Sequence, residues 1–323
     1  AFPFGTRASH GVRVGTSFSS EPCASGAGPF QRGKAGGSAA GRCARREVTV
    51  RRSRTVRMQT FSVCRFAGIQ CSVMPEARTI DGVIAELTAI IEREKAEESR
   101  LGYFPALYRR VTRAVKAGIA AGRFADGPRM ERFDVIFANR YLEAYDDWRD
   151  GRAVSQCWQL AFQSAQRTDR IILQHLMAGM NAHINFDLAI AAAEVAPGTA
   201  IHSLQGDFME INRVLSEQVD SVQNSIASVA PMMWLLDSAG GRTEEKIVEF
   251  SMSRARDAAW AQAVLLAGIE GGVRSAAIVV ADRAVTAVGR GVMQPPGMFL
   301  QAALQFLVWR ESSDVRKIIG ALE

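Results

Sequence analysis

From Thr79 onward, apolar residues recur at spacings of three and four, which is the period of an α-helix. In the first such segment these positions are Ile80, Val83, Ile84, Leu87, Ile90 and Ile91. The alternating pattern of a half-buried strand is nearly absent from the chain. We therefore predict an all-α fold, in which one helical-bundle-like domain contains no internal repeat.

Capping residues and helix breakers divide this pattern into separate helices. Thr79 and Asp169 are suitable N-caps, and Pro197 ends the helix that follows Asp169. Apolar positions at near-heptad spacing predict a long helix over residues 204–229. Residues 243–268 predict another helix, which begins with two acidic residues in its first turn.

The first 73 residues differ from the rest of the chain. They carry 11 Arg and one Lys against Glu21 and Glu47, whereas the other 250 residues carry 27 basic and 31 acidic side chains. The net charge of +6 therefore comes from this Gly-, Ser- and Arg-rich segment, which has too little periodic apolar sequence to bury a core. We predict a disordered basic leader at residues 1–73 and an all-helical domain at residues 74–323.

Three interpretations of this leader remain open. We favour an upstream extension of the reading frame, in which Met74 is the true start. An Arg- and Ser-rich, acid-poor segment is also typical of a transit peptide, which would direct the protein to an organelle. A functional basic arm would bind nucleic acid weakly through phosphate contacts. We predict no specific nucleic-acid partner.

Cysteine usage and hydropathy bear on the compartment. Cys157 is the single cysteine of residues 74–323, which fits a reducing environment. The four leader cysteines match no zinc signature; they are Cys23, Cys43, Cys64 and Cys71. No charge-free apolar window reaches the roughly 18 residues of a membrane span. We therefore expect no transmembrane segment and a cytoplasmic location, or an organelle if the leader is a transit peptide.

Two histidines and an aspartate interrupt the apolar segment QHLMAGMNAHINFDLAIAAAEV at residues 174–195. His183 and Asp187 lie one helical turn apart on the same face, so they are close enough to hydrogen-bond or to share a ligand. His175 lies about 12 Å before His183 along the helix axis. One divalent metal ion would therefore be held by His183 and Asp187 rather than by the two histidines. Gly179 lies between them and leaves room for an approaching group.

A second carboxylate is expected in the same interior. Asp134 shares a helix face with Ala138 and Tyr141, so its side chain should point into the core. A buried carboxylate needs a partner, and a histidine, a metal ion or an arginine such as Arg254 or Arg256 would supply it.

These residues support two hypotheses about function. The first is an enzyme, metal-dependent and hydrolase-like, whose candidate catalytic residues are His183, Asp187, Asp134 and His175 and whose substrate is small and partly apolar. The second is a non-catalytic helical bundle that binds an apolar ligand or a protein partner. In that case the histidine and aspartate cluster is a structural hydrogen-bond network. Nucleotide-binding, serine-hydrolase and HExxH motifs are missing from the sequence.

The segments LGYFPALYRR, GPRMERFDVIFANRYLEAY and QHLMAGMNAHINFDLAIAAAEVAP together resemble an uncharacterised, mainly bacterial family, domain of unknown function 5995. The resemblance extends from about Thr79 to past Trp260, and it implies no reaction. A weaker likeness is to helical zinc-dependent phospholipases C and nucleases, which carry a His-x3-Asp step as at His183 and Asp187. Such centres need more histidines than the four in this chain.

Overall fold

The computed structural model describes residues 76–217, 225, 227–230 and 252–323. Its helices are α1 Ile80–Ala96, α2 Tyr103–Ala120, α3 Gly127–Arg149, α4 Gln156–Ala165, α5 Ile172–Ala182, α6 Leu188–Val195, α7 Ile201–Ser216, α8 Met252–Ala267, α9 Gly271–Met293, α10 Met298–Arg310 and α11 Val315–Leu322. The described residues contain no strand. The predicted all-α fold is therefore confirmed for this part of the chain.

Some sequence predictions lie on residues outside this part. They are the leader at residues 1–73 with its cysteines, and the starting point of the helix predicted at residues 243–268. The long helix predicted at residues 204–229 is confirmed as α7 up to Ser216, and residues 225 and 227–229 are also helical. What lies between these pieces belongs to the residues that the structure does not describe.

The helices pack around a core to which both the aromatic and the alanine-rich segments contribute. α2 lies against α1, α3, α5, α7 and α11, while α9 covers α4 and α5. α6 packs on α8, where the buried residues Ala255, Ala259 and Ala263 are spaced every four positions. Small side chains at this spacing allow two helices to approach closely. The short α6 is consequently enclosed on several sides.

Two short 3-10 turns complete the connections between these helices. Arg100–Gly102 leads directly into α2, and Gly198–Ala200 leads into α7. None of the described helices is by itself long and apolar enough to cross a membrane. Ile172–Val195 and Gly198–Leu215 pass that test only as a pair, and they are bent by 115° relative to each other.

Carboxylates from distant parts of the chain satisfy several helix N-termini. Asp282 on α9 accepts hydrogen bonds from the backbone N–H groups of Gln156 (2.8 Å) and Cys157 (2.9 Å) at the start of α4. Glu311 accepts from the N–H of Ile172 (2.8 Å) at the start of α5. Helix N-termini carry partial positive charge, so these contacts attach the helices to one another electrostatically.

Local capping rules succeed at one predicted position and fail at the other. Thr79 caps α1 as predicted, because its side-chain oxygen accepts from the N–H of Gly82 (3.1 Å). The predicted cap at Asp169 is wrong. Its carboxylate instead pairs with Arg167 (2.6 Å) and Arg170 (2.7 Å), while the N–H of Ile172 at the start of α5 donates to Glu311.

Candidate functional site

α5 and α6 form one helical segment that is interrupted by a wider turn. Residues His183–Asp187 adopt π-helical geometry between them. A π turn holds one more residue than an α-helical turn, and such turns are frequent at functional sites. The residue spacing in the sequence does not indicate this π turn, because residues four positions apart share a face in both an α-helical and a π-helical turn.

Asp187 is the centre of a buried hydrogen-bond network. Its Oδ2 lies 3.3 Å from Nδ1 of His183 and accepts from the indole N–H of Trp158 at 2.8 Å. Its Oδ1 accepts from Nε of Arg140 at 3.0 Å. Only 1% of the Asp187 side chain is exposed. The predicted contact between His183 and Asp187 is present, and Asp187 has two further partners from α3 and α4.

Aromatic rings surround the imidazole of His183. Phe137 stacks on it with ring centroids 3.6 Å apart, and Tyr108 packs edge-on at 4.5 Å. Burial lowers the pKa of His183, although the hydrogen bond with Asp187 opposes this shift. A neutral imidazole whose Nδ1 donates to Asp187 leaves Nε2 as an acceptor, and this atom is buried without a hydrogen-bond partner.

Asp134 is buried as predicted, but it does not join the network of Asp187. It forms no ion pair with any described residue, and its Oδ2 has no hydrogen-bond partner. Burial, assisted by the charge of Glu131, raises the pKa of Asp134 to about 7. The expected ion pair with Arg254 or Arg256 is therefore not formed. Arg256 instead lies 4.6 Å from the ring centroid of Phe208 and donates to the carbonyl of that residue.

Phe104 packs between the two histidines. An added Cβ on Gly179 would lie 2.7 Å from ring atoms of Phe104, so the space left by this glycine is filled by that ring. Phe104 also packs edge-on against His183, with centroids 5.6 Å apart. His175 makes its ring contact with Tyr103 instead, at 5.9 Å. The structure therefore separates His175 from the pair formed by His183 and Asp187.

His175 lines a small cavity with mainly aromatic walls. Only 6% of this residue is exposed, and neither ring nitrogen completes a hydrogen bond of normal geometry, although the backbone of Arg170 lies near the ring and favours its protonated form. Burial lowers the pKa of His175 to about 4, and the nearby positive charge of Arg100 acts in the same direction. The cavity measures about 20 Å³, which is enough for roughly one water molecule. Its other walls include Phe104, Tyr141, Trp158, Phe162 and Gly179.

A wider cleft of about 680 Å³ lies next to this cavity. Arg100, Leu101 and Ala165 line both spaces, so the cleft and the cavity share a boundary. Trp148 and Arg149 line the cleft but not the cavity. The sequence contains no sign of this cleft, because its walls come from α3, α4 and the 3-10 turn before α2. Its residues have no common spacing in the sequence.

The donor set at His183 and Asp187 does not fit the predicted divalent ion. Both oxygens of Asp187 already accept N–H hydrogen bonds, and the Arg140 guanidinium lies where a metal cation would have to approach. Among the described residues, no group of three His, Cys, Asp or Glu side chains is arranged to hold a metal. The catalytic roles predicted for these side chains remain predictions.

Comparison with known proteins adds a family assignment without a reaction. The model of a family described as a family of unknown function, DUF5995, matches residues 80–295. No curated protein and no solved structure matches the chain. The matched range includes α1 to α9 and every residue that lines the small cavity.

Proposed function

Because the chain belongs to the DUF5995 family, whose function is unknown, we propose from the geometry that it binds a small molecule in the cleft beside His175. The site consists of the cleft (Arg100, Leu101, Trp148, Ala165) and of the small cavity behind it. The substrate or ligand enters from the cleft and reaches His175 with one end.

The observation that carries this proposal is that the His175 imidazole is buried without a completed hydrogen bond. A buried polar group without a hydrogen-bond partner is costly, by about 1–3 kcal/mol, and is rare in native proteins. Neither nitrogen of His175 completes a hydrogen bond of normal geometry with the described residues, and the side chain lines a cavity that shares a boundary with a cleft. A bound molecule that offers a donor or an acceptor would satisfy the imidazole.

The cluster around Asp187 supports this site from behind. Trp158 forms a wall of the cavity, and its indole N–H is held by Asp187. Phe104 forms another wall and packs on His183 and Gly179. The network therefore positions two aromatic walls of the cavity. In this proposal His183 and Asp187 are positioning residues, as in the structural-network hypothesis from the sequence.

The enzymatic hypothesis is the second candidate, and Asp134 favours it. A buried carboxyl whose pKa is about 7 is suited to proton transfer near neutral pH. However, Asp134 has no hydrogen bond with His183 or Asp187. In the described part of the chain, no cavity is lined by all three of these residues. Binding beside His175 therefore agrees better with the contacts. A cytoplasmic location stays a prediction.

The proposal is tested by filling the boundary that the cleft and the cavity share. Ala165→Leu would fill the shared boundary, while Gln163→Leu adds the same side chain at an exposed position of α4 that lines neither space. Binding of short-chain acids, amides and alcohols is measured by saturation-transfer NMR on the full chain. We expect several of these molecules to bind wild type and Gln163→Leu, and to lose binding in Ala165→Leu.

A third variant tests the role of the imidazole. His175→Phe keeps a ring against Tyr103 and removes both nitrogens, so we expect the polar molecules to bind it more weakly than wild type. Equal binding to wild type and Ala165→Leu would place the binding site elsewhere and refute the proposal. The absence of any binding at millimolar concentration would refute it as well.

A further inference from the structure

Arg100 lies where the cleft meets the small cavity. It belongs to the 3-10 turn before α2, is half-buried, and lines both spaces. Within the described part of the chain, its guanidinium forms neither a hydrogen bond nor an ion pair. We propose that the ligand of this site is a small organic carboxylate, whose anionic group pairs with Arg100 and whose neutral end reaches His175. This inference rests on the proposed binding function and adds the chemical class of the ligand.

The other arginines of the cleft already have acidic partners. Arg149 forms two hydrogen bonds of 2.8 Å with the carboxylate of Glu97. Arg152 pairs with Asp147 at 2.5 Å and also with Asp150. Arg100 therefore differs from its neighbours, because its donors remain available to a ligand. The planar fork of a guanidinium matches a carboxylate through two parallel N–H···O bonds.

The surroundings of His175 favour a neutral group at the inner end. The low pKa of His175 keeps the imidazole uncharged at neutral pH, so it offers one donor and one acceptor. The aromatic walls and the volume of about 20 Å³ admit a hydroxyl, a carbonyl or a methyl group rather than a solvated charge. The carboxylate consequently stays at Arg100, where the wider cleft supplies water.

The test compares each carboxylate with its neutral amide on the full-length protein. Propionate and 3-hydroxybutyrate are titrated beside propionamide and 3-hydroxybutyramide, and chemical shifts of the protein report the affinity. We expect the carboxylates to bind about tenfold or more tightly than the amides, since a charge-assisted pair is stronger than a neutral hydrogen bond. Arg100→Gln should abolish this preference and change the affinity of the amides less than about twofold.

Arg152→Gln is the matched control, because it removes the same charge from the same cleft. We expect it to change the carboxylate affinity by less than about threefold, since its guanidinium is held by two aspartates. An equal loss in both variants would show a general field effect and overturn the inference. Amides that bind as well as carboxylates and lose binding in Ala165→Leu would overturn it while leaving the proposed function intact. If neither class binds, both proposals fail.

Discussion

Asp187→Asn is the substitution that probes the buried network most directly. The amide keeps the shape of the side chain and removes its charge. It also replaces one acceptor oxygen by an NH₂ group, which must then face either Trp158 or Arg140. Because the Arg140 side chain is 27% exposed, its guanidinium is the group that moves toward water. The oxygen then remains with the indole N–H and His183.

The expected cost follows from these contacts. One charge-assisted hydrogen bond is lost, and two others become weaker in a site of which 1% is exposed. Loss of a partner in such a buried network destabilises a protein by about 2–4 kcal/mol. For a domain of this size, that corresponds to a fall in Tm of roughly 5–15 °C. Thermal unfolding followed by circular dichroism measures this difference.

Two further variants serve as a control for the loss of charge and as a test of the coupling between Arg140 and Asp187. Asp169→Asn removes a carboxylate that is 45% exposed and pairs with two arginines, so we expect a cost below about 1 kcal/mol. The double variant Arg140→Gln/Asp187→Asn should cost less than the sum of the two single changes, because both remove the same ion pair. A Tm for Asp187→Asn within about 2 °C of wild type would refute the structural role of Asp187.

The remaining predictions concern one buried acid and one distant cap. The pKa of Asp134 is raised to about 7 in the folded protein, so its contribution to stability is complete below pH 4 and is lost as the pH rises through 7. Asp134→Asn should therefore improve the stability more at pH 8 than at pH 5, by about 3 kcal/mol in urea unfolding, because about two pH units separate pH 5 from the folded pKa of Asp134; a pH-independent effect would contradict this. Asp282→Ala leaves the N–H groups of Gln156 and Cys157 without acceptors, and we expect a loss of about 1–3 kcal/mol in the same assay. Faster hydrogen exchange should appear first at the start of α4, and exchange that is unchanged there would contradict the capping role.

Local rules recovered the helices and one contact of the site, because these depend on residues a few positions apart. The period of three and four predicts α1, and the i,i+4 spacing predicts the contact between His183 and Asp187. The other partners of Asp187 lie 29 and 47 positions away, and no spacing rule connects them. From the sequence alone, Asp187 therefore looks like a carboxylate that is free to bind a ligand, whereas in the fold Arg140 and Trp158 already donate to it.

The same limit explains the wrong cap and the missed cleft. Asp169 satisfies the local rule for a helix cap. However, the N–H of Ile172 at the start of α5 donates to Glu311, which lies 139 positions away in the sequence. Arg100 carries no signal in the sequence, because its significance comes from the lack of an ion-pair partner among the described residues, where the nearby Glu98 of the same cleft pairs with Arg316 instead. Gly179 was expected to leave room for an approaching group, and the group that fills this room is Phe104.

The π turn at His183–Asp187 bears on how related chains are aligned. One additional residue in that turn rotates everything after it by about 100° relative to an uninterrupted α-helix. A relative that lacks a single residue there would form an uninterrupted α-helix and would still turn the alanine-rich side of α6 toward α8, whereas a relative of equal length without the wide turn would not. A one-residue gap in this stretch would therefore mark the loss of the wide turn at His183–Asp187, while the packing of α6 on α8 is kept.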